Sequence, residues 1–192
     1  MISESILDGQ RLRLRPVAER DLPRFIDWLN DPEVRYWLSL SEAPDLTMEA
    51  EREWYERQRG SENDVVWMIE TAEGRPLGTV GLHGIDETSG RGTLGIFIGE
   101  KDCWARGYGR EAIALLLGFA FSELELRRVE LFVDHDNERG IRCYESCGFL
   151  GEGRLRSYRR RRGDNIDCLI MSVLAEDWTD RAGEAAKRKA AP

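Results

Sequence analysis

The densest chemistry in the chain lies in Trp104-Ala105-Arg106-Gly107-Tyr108-Gly109-Arg110-Glu111-Ala112. Two glycines flank one residue directly before an amphipathic helical run. The first turn of a helix presents unpaired N–H groups and a partial positive charge. Glycine removes the Cβ that would hold a phosphate away from the backbone. Arg106 and Arg110 add positive charge at the same place. The window reads as a diphosphate cradle or as a tight loop before a packed helix. A second window follows, with Asn137, Tyr144, Gly148 and Phe149. Asn137 stands where it would cap a helix beginning at Glu138. Tyr144, taken alone, reads as a core aromatic on an amphipathic helix.

Two other phosphate motifs compete for the first window. Gly107, Gly109 and Ala112 also fit the dinucleotide fingerprint Gly-x-Gly-x-x-Ala, which would make a nicotinamide-dependent oxidoreductase. That fingerprint needs its glycine turn to follow the strand at once. Here the strand ends near Ile98, and residues 99–106 intervene. A Walker A loop requires Gly-Lys-Ser/Thr, which is absent.

The elements that must position these windows can be read in turn. Residues 11–15, Arg-Leu-Arg-Leu-Arg, alternate strictly and predict an opening strand with one face buried, stopped by Pro16. Leu22, Phe25, Ile26 and Leu29 have helical spacing within 19–30, and Asn30-Asp31-Pro32 ends that helix. A second, shorter helix can start at Pro32, and Thr47 is a fitting N-cap for a charged helix over 49–58. Val65–Thr71 and Pro76–Leu82 predict a hairpin across Glu73-Gly74, and Gly92–Ile98 another strand. A long helix is predicted from Gly107 to Leu124, a short strand over Val129–Val133, and a helix over 138–147 closed by Gly148. Phe149–Tyr158 and Ile166–Leu174 are the final strands. The order is β-α-α-β-β-β-α-β-α-β-β, a mixed α/β (α+β) sheet covered by helices.

Composition narrows the class further. The 192 residues predict one domain over 1–179, followed by a frayed, disordered tail over 180–192. The longest apolar run, Ala112–Leu117, is far short of a membrane span, and Met1–Ser5 lacks the features of a signal peptide. A cytoplasmic location follows as the expectation, with no membrane partner. A net charge of −8 opposes direct nucleic-acid readout and suits a cationic substrate. Cys103, Cys143, Cys147 and Cys168 read as reduced, half-buried thiols, and no metal site is expected. The arginine-rich run from Arg154 to Arg162 reads as a solvated sheet edge.

The two windows together, in this order and at this distance, resemble the core of the GNAT superfamily of N-acetyltransferases. Arg-Gly-Tyr-Gly-Arg-Glu-Ala is similar to its pyrophosphate loop, and strand–Asn–x6–Tyr–x3–Gly–Phe to its second half. The start, Arg11–Arg15 with Asn30-Asp31-Pro32-Glu33-Val34, resembles bacterial ribosomal-protein N-terminal acetyltransferases. The ending, Gly163–Ser172, is similar to theirs and to polyamine acetyltransferases. The likeness covers roughly residues 10–178.

The resemblance implies the acyl-CoA N-acyltransferase fold, with a mostly antiparallel sheet splayed at the cofactor and helices on both faces. It implies acetyl-CoA as co-substrate and no metal. Arg106, Gly107, Tyr108, Gly109, Arg110 and Glu111 would hold the CoA pyrophosphate, while Ile96, Phe97 and Ile98 would offer backbone to the pantetheine arm. Asn137 would bind that arm as well. Tyr144 would be the general acid that protonates the departing thiolate, since a phenol is protonated at neutral pH. Thr93 stands where many relatives carry a carboxylate, a departure that leaves Glu100, His83 or a water chain to accept the proton. Asp31, Glu33, Tyr36 and Trp37 could line a cleft for the acceptor cation. The acceptor would be the primary amine of a protein N-terminus, a polyamine or an aminoglycoside-like molecule, and a homodimer is an open option. The alternative is a catalytically silent CoA-binding or sensing module on the same fold.

Overall fold

Alternation in the first strand does bury Leu12 and Leu14, but the opposite face is covered too. Arg15 is buried there, donating to Asp21 at 2.7 Å and to Glu70 at 2.6 Å. This strand is one of eight in a single sheet. The computed structural model describes residues 5–38 and 40–178. Its strands are β1 (Leu7–Asp8), β2 (Leu12–Pro16), β3 (Val65–Thr71), β4 (Pro76–Asp86), β5 (Arg91–Ile98), β6 (Arg128–Asp134), β7 (Leu150–Arg161) and β8 (Asp164–Leu174). Its helices are α1 (Leu22–Asn30), α2 (Pro32–Tyr36), α3 (Met48–Arg59), α4 (Tyr108–Ser122) and α5 (Glu138–Ser146). The two-residue β1 carries no alternation for a sequence reading to detect, and residues 19–21 form a 3-10 turn ahead of α1. The readings made for residues 1–4 and for the tail over 180–192 lie outside the described residues. Among the described residues, no helix is long and apolar enough to cross a membrane.

The spatial order is β1-β2-β3-β4-β5-β6-β8-β7. Every neighbouring pair is antiparallel except β5 and β6. Those two are parallel, and they pair only at Arg91↔Arg128, Gly92↔Val129 and Thr93↔Glu130. Beyond Thr93 they diverge, so β5 from Leu94 to Ile98 has strand neighbours on the β4 side alone. Such a split leaves backbone polar groups facing a gap, where they must find another partner.

Helices cover both faces, and β3 shows the division. Trp67 and Ile69 belong to the core shared with Ile113, Leu116, Leu117 and Ala120 of α4. Met68, between them, belongs to the opposite core with Leu22, Phe25 and Trp28 of α1. Adjacent strand residues point to opposite faces, so both faces of this strand are buried. The Thr47 hydroxyl caps α3 by accepting from Ala50 N at 3.2 Å, and Gly148 follows α5 at φ 102°. Both helix ends stand where the side chains predict them.

The arginine run behaves as an edge only in part. β7 is the terminal strand and largely exposed. Arg161 at its end is buried, however, with its guanidinium donating to Asp134 at 3.0 Å and also to Asp136. The strand turns its last residue toward the end of β6 rather than toward water.

Candidate active site

The glycine turn is built as a helix start without a side-chain cap. Gly107 is the N-cap of α4 and has φ 84°, a left-handed conformation that strains any residue with a Cβ. Glu111 N reaches back to Gly107 O at 3.1 Å. The amides of Tyr108, Gly109 and Arg110 have no hydrogen-bond partner among the described residues. Three free donors at a helix N-terminus are the chemistry an anionic group needs. A Cβ added at Gly109 would meet Cys143 Sγ at 3.8 Å and Ile96 Cδ1 at 3.9 Å, so this glycine opens room between α4, α5 and β5.

That room is a cavity of about 440 Å³. Ile96, Phe97 and Ile98 of the splayed β5 form one wall, and Gly107, Tyr108, Gly109 and Arg110 form its end. Asn137, Arg139, Cys143 and Tyr144 line it from α5 and its cap. The charged lining residues are Arg110, Arg139 and Arg142, with no carboxylate among them. A pyrophosphate-bearing ligand fits this sign and this cradle.

Five expected binding residues do not reach the cavity lining, each for a physical reason. Glu111 points away, because its carboxylate accepts from Gln10 N and Arg11 N at 2.8 Å and from Arg11 Nε at 2.8 Å. Arg106 is exposed, and its carbonyl accepts from the Arg11 guanidinium at 3.0 Å. Glu33 pairs with Lys101 at 2.9 Å, beside Asp31, which pairs with the same amine at 2.7 Å. Tyr36 has its ring covered by Arg161 at 4.4 Å and Arg162 at 5.0 Å, leaving little aromatic surface for a substrate cation. Of the four residues offered for acceptor binding, Trp37 alone lines the cavity.

Tyr144 lies one helical turn from Cys147 and packs edge-on against Phe149, 6.0 Å between ring centroids. Its hydroxyl has no hydrogen-bond partner among the described residues. Burial raises its pKa, with the neighbouring Cys143 and Cys147 adding to the shift, so the phenol stays protonated well past neutrality. Asn137 Oδ1 caps α5 by accepting from Gly140 N at 3.0 Å while the residue also lines the cavity. The capping and lining roles coexist.

The substitutes for a base are placed elsewhere. Burial would raise the Glu100 carboxyl, but Trp28 Nε1 at 2.8 Å and the Arg75 and Arg24 guanidinium groups outweigh it and hold the pKa low. His83 faces Asp64 at 3.6 Å. Neither lines the cavity.

Sequence reasoning missed Trp104 and Arg139. Trp104 Nε1 donates to Ile98 O at 2.7 Å, so the indole satisfies a carbonyl at the end of the splayed strand. The Arg139 guanidinium lies 4.1 Å from the Trp104 ring centroid and bridges α5 to the loop before α4. Trp104 opened the glycine window and was there to be found. Nothing local distinguishes Arg139 from the chain's other arginines. Among the described residues, no group of three or more His, Cys, Asp or Glu side chains is arranged to hold a metal ion.

The family model described as an acetyltransferase (GNAT) domain matches residues 11–150. The chain belongs to the GNAT acetyltransferase family. With the family comes its reaction, in which acetyl-CoA is the donor and an amine the acceptor. This acetyltransferase is 30% identical over 176 residues to YoaA of Bacillus subtilis, an uncharacterized N-acetyltransferase, covering 88% of this chain and 96% of the relative. It is 27% identical to the spermidine N(1)-acetyltransferase of Vibrio cholerae, covering 91% and 99%. The crystal structure of spermidine N-acetyltransferase from Vibrio cholerae, in complex with CoA and spermine, superposes with a TM-score of 0.83. At 23% identity, over 89% of this chain and 99% of that one, this likeness carries the fold. Enzymatic N-acetyl transfer thus replaces both the silent-module and the nicotinamide readings.

Proposed function

We propose that this acetyltransferase acylates an α-amino group, on a protein or peptide N-terminus, by direct attack within a ternary complex at the cavity. The observation that carries this is that no carboxylate stands among the described residues of the cavity lining. A polyamine carries several positive charges and calls for acidic partners. Asp31 and Glu33, at the start of α2, are both paired with Lys101. Asp134 and Asp136 are paired with Arg161. An α-amino group has a pKa near 8 and is partly neutral at pH 7, whereas a lysine-like amine near 10.4 is almost wholly charged. With no carboxylate to take the proton, the less basic amine is the one able to attack, with water accepting its proton.

In this reading the free amides of Tyr108, Gly109 and Arg110 hold the CoA diphosphate, and Arg139 and Arg142 add counter-charge. The gap beside Ile96–Ile98 holds the pantetheine arm, and bound acetyl-CoA supplies the activated acetyl thioester. Tyr144 donates its proton to the departing sulfur. Four free cysteines fit the reducing cytoplasm.

The test is thiol release from acetyl-CoA with three acceptors: a peptide with a free α-amine, the same peptide N-blocked with an internal lysine, and spermidine. The expected kcat/KM for the free α-amine exceeds the other two by about 10²-fold, the order of the difference in neutral amine at pH 7. A preference for spermidine, the substrate in the names of several relatives, would overturn it.

A further inference from the structure

The β7–β8 hairpin is closed by a two-residue loop, Arg162-Gly163, since Arg161 pairs with Asp164. Both loop residues have positive φ, 52° and 86°. A type I′ turn requires this, and it favours Asn, Asp or Gly at its first position. Arg162 instead holds a long side chain in the left-handed region, where L-residues are strained. Strain of this kind gathers at ligand-binding and active sites.

The strained residue is aimed at the wall of the acetyltransferase cavity. Its guanidinium lies 5.0 Å from the Tyr36 ring centroid, and the Tyr36 ring meets the Trp37 ring edge-on at 4.8 Å. Trp37 lines the cavity. Arg161 covers the same Tyr36 ring, but it is buried and committed to Asp134 and Asp136. Glu42 accepts from Gly163 N at 2.7 Å and stands 4.0 Å from Arg160. Arg162 is exposed and has no carboxylate partner among the described residues. In a chain of net charge −8, a cation is left unpaired beside the acceptor wall.

We infer that Arg162 selects acceptor peptides that carry an acidic side chain within their first four residues. This rests on a peptide N-terminus being the acceptor. The CoA diphosphate takes the α4 end of the cavity, so the peptide must pass another wall. Val34, Trp37 and Leu38, from α2 and just beyond it, form that wall. Two ring contacts separate Trp37 from the Arg162 guanidinium. Extended chain advances about 3.3 Å per residue, so about three residues span that distance. A carboxylate there would meet a planar guanidinium already lying against an aromatic ring, a geometry suited to a bidentate pair.

The test is a glutamate scan. A peptide with a free α-amine and neutral side chains receives one Glu at each of positions two to seven in turn, with Gln as the control. Thiol release gives kcat and KM. An exposed guanidinium–carboxylate pair sets the scale, so Glu at one or more of positions two to four should lower KM about three- to five-fold against Gln, with kcat alike. High salt should erase the gain. Arg162→Asn removes the guanidinium and puts a favoured residue into the turn, so Tm should hold or rise. In that variant the Glu-to-Gln ratio should fall to unity at every position. A flat scan in the wild type, or a Glu preference that Arg162→Asn leaves unaltered, would overturn the inference. The layer beneath fails differently. Peptides acetylated with a flat scan remove the role of Arg162 alone, whereas no peptide acetylated while spermidine is consumed removes the N-terminal acceptor and this inference with it.

Discussion

Arg11 Nε donates to Glu111 Oε2 at 2.8 Å, joining residues 100 positions apart. The same guanidinium donates to Arg106 O at 3.0 Å and lies 4.8 Å from the Tyr108 ring centroid. One side chain just ahead of β2 thus touches both sides of the glycine turn. Half-exposed ion pairs add little to stability, but a fixed loop geometry matters for ligand binding. Arg11→Ala should therefore raise KM for acetyl-CoA about ten-fold, near 1.4 kcal/mol of binding, and leave Tm almost unchanged. Steady-state kinetics beside a thermal melt checks this. A large drop in Tm with unchanged KM would show that Arg11 serves the fold instead.

The two glycines of the turn should respond differently. Gly107 needs its left-handed φ, so Gly107→Ala should destabilise by about 1 kcal/mol, or roughly 2–4 °C in Tm for a chain of this size. Gly109 lies within α4 and an added methyl meets only ordinary contacts, so Gly109→Ala should hold or raise Tm. It should nevertheless weaken acetyl-CoA binding, because the methyl enters the cavity. Melts and calorimetry on both variants would reveal a reversed pattern.

Tyr144→Phe should lower kcat by roughly 10²-fold, with acetyl-CoA affinity retained, as expected for loss of a proton donor. The pH profile gives a second reading. An acid acts while protonated, and burial raises the pKa of this phenol. Activity of the wild type should rise through the amine pKa near 8 and show no fall at pH 10, where an ordinary tyrosine would be half ionised. A descending limb near pH 10 would contradict the assignment.

Arg161→Ala should be the most damaging of these substitutions to stability. Arg161 and Asp134 are both buried and lie 3.0 Å apart. Removing one partner of a buried pair costs about 3–5 kcal/mol. Arg159 remains 3.1 Å from Asp134, so the lower figure applies, about 3 kcal/mol or roughly 6–12 °C in Tm. Burial alone would raise the Asp136 carboxyl, but Arg161 outweighs it and holds the pKa below the ordinary 3.8. A depressed carboxyl contributes its stability above that value and loses it as pH falls further. The gap between variant and wild type should narrow below pH 3.8, as thermal melts across pH would show.

The sequence by itself determined what depends on neighbours along the chain. Alternation marked the strands, and helical spacing marked α1 and α4. Thr47, Asn137, Gly107 and Gly148 announced helix ends, because caps and turns are satisfied within three or four residues. The spacing from Asn137 to Tyr144 placed both on one short helix beside the glycine turn. Tertiary structure alone decided which of many charges meet. Twenty-eight cations and thirty-six acids offer too many pairings for sequence to choose Arg11 with Glu111, or Arg161 with Tyr36. The gap between β5 and β6 is equally non-local, since it arises where two strands more than thirty residues apart stop sharing hydrogen bonds. The all-arginine charge of the cavity follows from that topology, because Lys101, Arg159 and Arg161 had already claimed the nearby carboxylates.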